Sequence, residues 1–148
     1  MSTMTLGMIK PDATGAGKAG AIIAHIESKG FRVVAMKMLR LDKAMAREFY
    51  AEHDGKPFFG PLVDFITSGP VVAMALQQPD AVKLFREVIG ATDPAAADEG
   101  TVRKLFAQSK SRNAVHGSDS PASAERELKF FFSRTEMLSG ENCKNESE

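Results

Sequence analysis

Apolar residues fall along this chain in short runs whose period changes from element to element. TMTLGMI, residues 3–9, is short, apolar and stopped by Pro11, which predicts a buried strand. Ile22, Ile23 and Ile26 recur at helical spacing, and Gly30 stands where a C-terminal cap belongs. FRVVAMKMLRL, residues 31–41, is rich in β-branched and large apolar side chains and predicts a second strand. Asp42 can cap a helix carrying Met45, Phe49 and Tyr50, and a short helix is expected over Leu62–Ile66. GPVVAMALQ, residues 69–77, predicts a third strand with Pro70 at its start. Asp80 is placed to cap the next helix, whose Val82, Phe85 and Ile89 share one face and which Gly90 ends. From Ala91 to about Arg112 no period is clear over the first half, so a long loop is expected. Ala114 and Val115 predict a last edge strand leading to His116. Ser120-Pro121 is a hydroxyl cap followed by a first-turn proline, opening a helix with Ala124, Leu128 and Phe131 inward.

Few short strands linked by helices predict an α+β sandwich, a small sheet with helices packed on it. The 148 residues suit one domain, expected over 1–138, with residues 139–148 a polar, disordered tail. Lys plus Arg equals Asp plus Glu at 19 each, so no bulk attraction to nucleic acid or a membrane surface is expected. The single cysteine, Cys143, cannot close an internal disulfide, and MSTMTLGMIKPD lacks the pattern of a signal peptide. No apolar run approaches the ~20 residues of a membrane span. A soluble, cytoplasmic protein is expected.

Some motifs mislead. GAGKAG at 15–20 looks like a phosphate loop, but Asp12 stands where its first Gly belongs and Ala19 where the metal-binding hydroxyl belongs. It reads as a flexible turn into a helix. His25, His53 and His116 lack metal-ligand spacing to one another or to Cys143, and the first two read as surface residues. Phe58-Phe59 and Phe130–Phe132 read as core or rim.

NAVHGSDS, residues 113–120, is different. A nucleophilic histidine must be accessible, neutral and held in one tautomer, and an ordinary imidazole is largely neutral at pH 7. Gly117 removes bulk beside His116, while Ser118, Asp119 and Glu127 supply oxygens that could fix the ring. Lys10, Arg86 and Arg103 appear in otherwise quiet places, with Thr92 before the Asp93-Pro94 turn. Together they could clamp a polyphosphate, because phosphoryl transfer chiefly needs positioning and charge stabilisation.

Six segments occur in order: IKPD at 9–12, KPFF at 56–59, SGPVVAM at 68–74, IGATDP at 89–94, GTVR at 100–103 and NAVHGSDS. They resemble the signature segments of nucleoside diphosphate kinases, over roughly residues 4–133. The resemblance implies a ferredoxin-like α/β sandwich with a four-stranded antiparallel sheet covered by helices. It implies transfer of the terminal phosphoryl group from a nucleoside triphosphate, mainly ATP, to a nucleoside diphosphate. The route is ping-pong, through a phosphohistidine. His116 then matches the nucleophile, and Lys10 the lysine reaching the transferred phosphoryl and the sugar hydroxyl. Phe58 matches the ring under the base, Arg86, Thr92 and Arg103 the phosphate clamp, and Asn113 the residue on the ribose 3′-hydroxyl. Tyr50, Ser118 and Glu127 match the groups supporting the histidine. Mg²⁺ is expected to ride on the nucleotide phosphates, with Glu52 and Asp119 in water-mediated contact at most. A homo-oligomer, hexamer or tetramer, is expected.

The chain departs from the family pattern in places. Lys110 stands where a small aliphatic residue usually faces the base, and its stem can still pack on the ring. Leu105 replaces the acid usually found two places after the GT-x-R arginine, and the first strand reads TLGM in place of Glu-Arg-Thr-Phe.

Overall fold

A computed structural model describes residues 3–138; the tail expected at 139–148 lies outside them. Four strands form one sheet: β1 (Met4–Ile9), β2 (Arg32–Leu39), β3 (Val71–Gln77) and β4 (Val115–Gly117). Their order is β2-β3-β1-β4, and every neighbouring pair is antiparallel. Helices α1 (Pro11–Gly15), α2 (Ala19–Ser28), α3 (Lys43–Phe49), α4 (Phe59–Ile66), α5 (Ala81–Ile89), α6 (Val102–Phe106) and α7 (Pro121–Phe131) cover it. This is the ferredoxin-like α/β sandwich expected of the sequence.

Strand alternation divides the core in two. On β3, Val71, Ala73 and Ala75 face the layer of α3, α4 and α7, with Phe49, Val63, Ile66, Leu128 and Phe131. Val72, Met74 and Leu76 face the other way, toward Ile22, Ile26, Phe85, Ile89 and Val102 of α2, α5 and α6. A central strand buried on both faces explains why VVAMAL is apolar without a break. Phe85 is fully buried, which is worth roughly 1.5–3 kcal/mol.

Local signals hold where they are self-contained. The Asp42 carboxylate accepts from Met45 N at 2.8 Å, and the Ser120 hydroxyl accepts from Ser123 N at 3.1 Å. Asp80 is a correction. It lies at φ 57°, ψ 42°, in the left-handed region, and its side chain makes no capping bond. The loop expected over 91–112 contains α6, whose cap is the Thr101 hydroxyl accepting from Lys104 N at 3.3 Å. α1 begins at Pro11 itself, where the sequence predicts only the stop of a strand; proline suits a first helical turn as well as it stops a strand.

Gly117 has another task than exposing His116. Gly7 and Gly117 pair across β1 and β4. A Cβ on Gly7 would lie 3.0 Å from Phe85 Cζ, and one on Gly117 would lie 3.0 Å from Phe85 Cδ2 and Ile89 Cδ1. The two glycines make a seat for α5 on the face opposite His116. The close seat holds α5 against the strand that carries the histidine.

Candidate active site

β4 is an edge strand, so side chains from both helical layers can meet around it. His116 points into the layer of α3 and α7. Its ring meets Phe49 at 5.3 Å and Tyr50 at 6.2 Å between centroids, both edge-on. His116 Nε2 lies 2.8 Å from Glu127 Oε1, and the Glu127 side chain is 3% exposed. A carboxylate can only accept, so Nε2 carries the proton and Nδ1 keeps its lone pair. Ser118 Oγ donates to the same Glu127 oxygen at 2.8 Å and accepts from Leu6 N at 3.3 Å. Ser118 thus holds the carboxylate, and the carboxylate holds the ring. Arg126 NH2, 3.7 Å from Glu127 Oε2, partly offsets the buried charge.

A cleft of about 1170 Å³ opens in front of this histidine. Lys10, Tyr50, Phe58, Arg86, Thr92, Arg103, Asn113, His116 and Glu127 all line it. Of the site residues that the family resemblance implies, Ser118 alone is off the wall; it bonds to Glu127 from behind. Glu52, Asp119 and Lys110 also line the cleft, whereas Leu105 is exposed elsewhere. His25 lies outside it, its ring bonded to Gly100 O at 2.8 Å.

Arg86 and Arg103 come from α5 and α6, and Lys10 from the junction of β1 and α1. Arg103 is buried; NH1 donates to Gly90 O and NH2 to Val115 O, both at 2.9 Å. Gly90 sits at φ 88°, and a Cβ there would strike Thr101 Oγ1 at 2.6 Å, so glycine is required for this loop to close. Burial first, then neighbouring Arg86, push the Arg103 guanidinium below its ordinary value to about 10, where it stays charged at neutral pH. Arg86 NH1 reaches Gly117 O at 3.5 Å. The Asp119 carboxyl is held below its ordinary range, first by the Ser123 hydroxyl and then by Arg86 and Ser120. Lys10 Nζ donates to Asn113 Oδ1 at 2.9 Å, joining residues 103 apart in sequence. Asn113 in turn donates to Lys110 O at 3.0 Å. Burial and Arg103 lower the Lys10 ammonium to about 8, against a smaller opposing pull from Asp12.

Ala114, between Asn113 and Val115, has φ 71°. Val115 N donates back to Asn113 O at 2.8 Å, closing a three-residue turn. A non-glycine residue held there costs on the order of 1–3 kcal/mol. The Tyr50 hydroxyl is buried without a hydrogen-bond partner among the described residues, and burial, then Glu127, hold it protonated. Phe58 is 50% exposed on the cleft wall, beside His53 at 5.2 Å between ring centroids.

Sequence reasoning missed His53, which lines the cleft instead of lying on open surface, and Arg112, which lines it with its guanidinium 5.4 Å over Phe65. Both stand within or beside motifs it had marked. Among the described residues no group of three or more His, Cys, Asp and Glu side chains could hold a metal ion. None of the described helices is long and apolar enough to cross a membrane.

The geometry suits anion capture beside an imidazole. The nucleoside diphosphate kinase of Psychromonas ingrahamii is 54% identical over 133 residues, covering 90% of this chain and 92% of its own. That of Chlorobium limicola is 56% identical over 134 residues, covering 90% and 96%. Among solved structures, the nucleoside diphosphate kinase of Aquifex aeolicus superposes with a TM-score of 0.90 at 43% identity, over 92% of this chain and 99% of that one. The enzyme of Halobacterium salinarum, solved in complex with CDP, gives 0.89 at 41%, over 94% and 93%. The family model described as nucleoside diphosphate kinase matches residues 3–137. A match of that extent, with relatives more than half identical, establishes that the chain belongs to the nucleoside diphosphate kinase family.

Proposed function

We propose that this kinase, as its family membership makes it, works by a ping-pong route through a phosphohistidine on His116 Nδ1. The observation that carries this reading is the His116–Glu127 bond, which puts the proton on Nε2 and leaves Nδ1 as the nucleophile. In the first half, the Nδ1 lone pair forms a bond to the terminal phosphorus of a nucleoside triphosphate. The bond to the bridging oxygen breaks, and the diphosphate leaves with that electron pair. In the second half, a terminal oxygen of another nucleoside diphosphate attacks the same phosphorus and Nδ1 leaves. Nε2 keeps its proton against Glu127 throughout.

The other residues bind and orient. Arg86, Arg103 and Thr92 take the phosphates; Lys10 and Asn113, already paired, take the transferred group and the sugar hydroxyls. Tyr50 has an O–H beside the histidine with no hydrogen-bond partner among the described residues, which suits it to a phosphoryl oxygen brought against it. Phe58 offers a half-exposed ring to the base, with Lys56 Nζ 5.7 Å from its centroid. Stacking has little hydrogen-bond readout, so broad base tolerance is expected. Mg²⁺ fits as a partner of the nucleotide: Glu52 and Asp119 are single carboxylates on the wall, suited to its waters and not to a chelating cluster. When bound, it neutralises part of the polyphosphate charge. The test is labelling: ATP and magnesium should place acid-labile phosphate on His116, and GDP, CDP or dTDP should remove it. Folded protein that takes no label sinks the reading.

A pH profile checks the Lys10 assignment. Lys10 of the free enzyme loses its proton near pH 8, so kcat/KM should fall above that point. The kcat limb should lie higher, because bound phosphates favour the ammonium. The sign for stability is opposite. The unfolded chain binds more protons between about 8 and 10.5, so the buried-charge cost fades and stability through this group rises across that window. A flat kcat/KM to pH 10 removes Lys10 from phosphate capture.

The chain is also proposed to self-associate. β2 is an open sheet edge bearing Met36 and Met38, 53% and 63% exposed, the kind of apolar edge that invites a second copy. Sedimentation should give a hexamer or tetramer of the 16.0-kDa chain, and Met36→Lys with Met38→Lys should reduce it. A monomeric wild type overturns this.

A further inference from the structure

The strained residue next to the histidine strand is gripped by residues 10–12, and of these the proposed mechanism leaves Asp12 without a role. Ala114 C=O accepts from Lys10 N at 2.8 Å, and Ala114 N–H donates to Asp12 Oδ2 at 3.0 Å. Both backbone groups of Ala114 are therefore held by residues 10–12. Asp12 supplies the one side chain in that grip, from the first turn of α1 and 102 residues away in sequence. Its second oxygen, Oδ1, is buried with no partner among the described residues. Burying a carboxylate oxygen without a partner costs free energy, and the bond from Ala114 N–H to the other oxygen offsets part of that cost. Asn113, which precedes the turn, is bonded to Lys10, and His116 follows two residues after it.

We propose that Asp12 is a positioning residue for phosphoryl transfer: through the Ala114 N–H it holds the left-handed turn that sets Asn113 and His116 against Lys10. The inference rests on the reading of His116 as nucleophile. Without the Asp12 oxygen, alanine at 114 favours φ < 0. That rotation would carry Asn113 off Lys10 and tilt the start of β4. Glycine at 114 has no such preference. Asp12 has a second effect through its charge, which favours the Lys10 ammonium against the burial and the Arg103 charge that oppose it. Arg86, Arg103 and His116 line the same cleft as Lys10, with Glu52, Asp119 and Glu127 as its carboxylates.

The experiment is a double-mutant cycle with two readouts that do not need turnover. Asp12→Ala should lower kcat about tenfold or more, Ala114→Gly alone should stay within about threefold of wild type, and in the Ala114→Gly background Asp12→Ala should cost no more than about threefold. Amide exchange at residue 114 should accelerate in Asp12→Ala and stay slow in Asp12→Asn, which keeps an oxygen acceptor. NMR titration of the Lys10 side chain should show its midpoint moving to lower pH in Asp12→Asn. A full kcat in Asp12→Ala, or an equal loss in both backgrounds, overturns the proposal. If Asp12→Ala does not fold, Asp12→Asn decides: an unprotected amide at 114 with an unmoved Lys10 midpoint overturns it. If the wild type takes no label on His116, the catalytic reading has failed, and the exchange and titration data still decide whether Asp12 grips the turn.

Discussion

His116→Ala is expected to abolish phosphoryl transfer, by on the order of 10⁴-fold or more, as removal of a covalent nucleophile does elsewhere. Nucleotide binding should survive within a few-fold, because Lys10, Arg86, Arg103, Asn113 and Phe58 line the cleft independently of the imidazole. The fold should survive too. The His116 side chain is still 19% exposed, and Glu127 keeps its bond from Ser118 when the ring is gone. Acid-labile label from ATP and calorimetric binding of a diphosphate, measured on the same preparation, separate the two effects. Transfer that persists in the variant would move the phosphoryl acceptor off His116.

Arg103→Ala has the next largest expected effect, and it should appear in two measurements. The guanidinium has five N–H groups; two are engaged by Gly90 O and Val115 O, which leaves others for a phosphate oxygen. Losing a preorganised donor of developing charge should lower kcat/KM by about 2–4 kcal/mol of transition-state stabilisation. The two carbonyls would also lose their partner, at roughly 1–3 kcal/mol for each that stays buried and unsatisfied, so Tm should fall. Arg103→Lys keeps a charge but cannot span both carbonyls from one nitrogen; it should recover part of the rate and little of the stability. A lowered Tm with unchanged kcat/KM would make Arg103 a strut between the loop before α6 and β4, and would remove it from the phosphate clamp.

Legibility in the sequence follows how local each signal is. Asp42 and Ser120 were readable as caps because the cap and the amide it accepts from lie three residues apart. Asp80 was misread because the same residue type tolerates the left-handed conformation, and the turn after β3 uses it so. α6 was missed because five residues give too little period to see, although Thr101 carried a cap signal. Gly117 was read from its chain neighbour, His116. Its size is instead set by Phe85 and Ile89, on the opposite face of the sheet. His53 looked like a surface residue because nothing nearby in sequence shows that Tyr50 and Phe58 fold around a cleft.

Alone, the sequence determined the alternation that buries β3 on both faces, the helix starts with local caps, and the six ordered segments that name the family. Those are properties of residue type and short spacing, and they need no partner from elsewhere in the chain. Tertiary structure alone decided that Nε2 is the His116 nitrogen set against Glu127, that Lys10 lies on Asn113, and that Asp12 and Lys10 together hold the strained Ala114. Each depends on a hydrogen bond between atoms that become neighbours only when β4 docks on β1 and α7 closes over it. A hydrogen bond fails within fractions of an ångström, far finer than any residue spacing can specify.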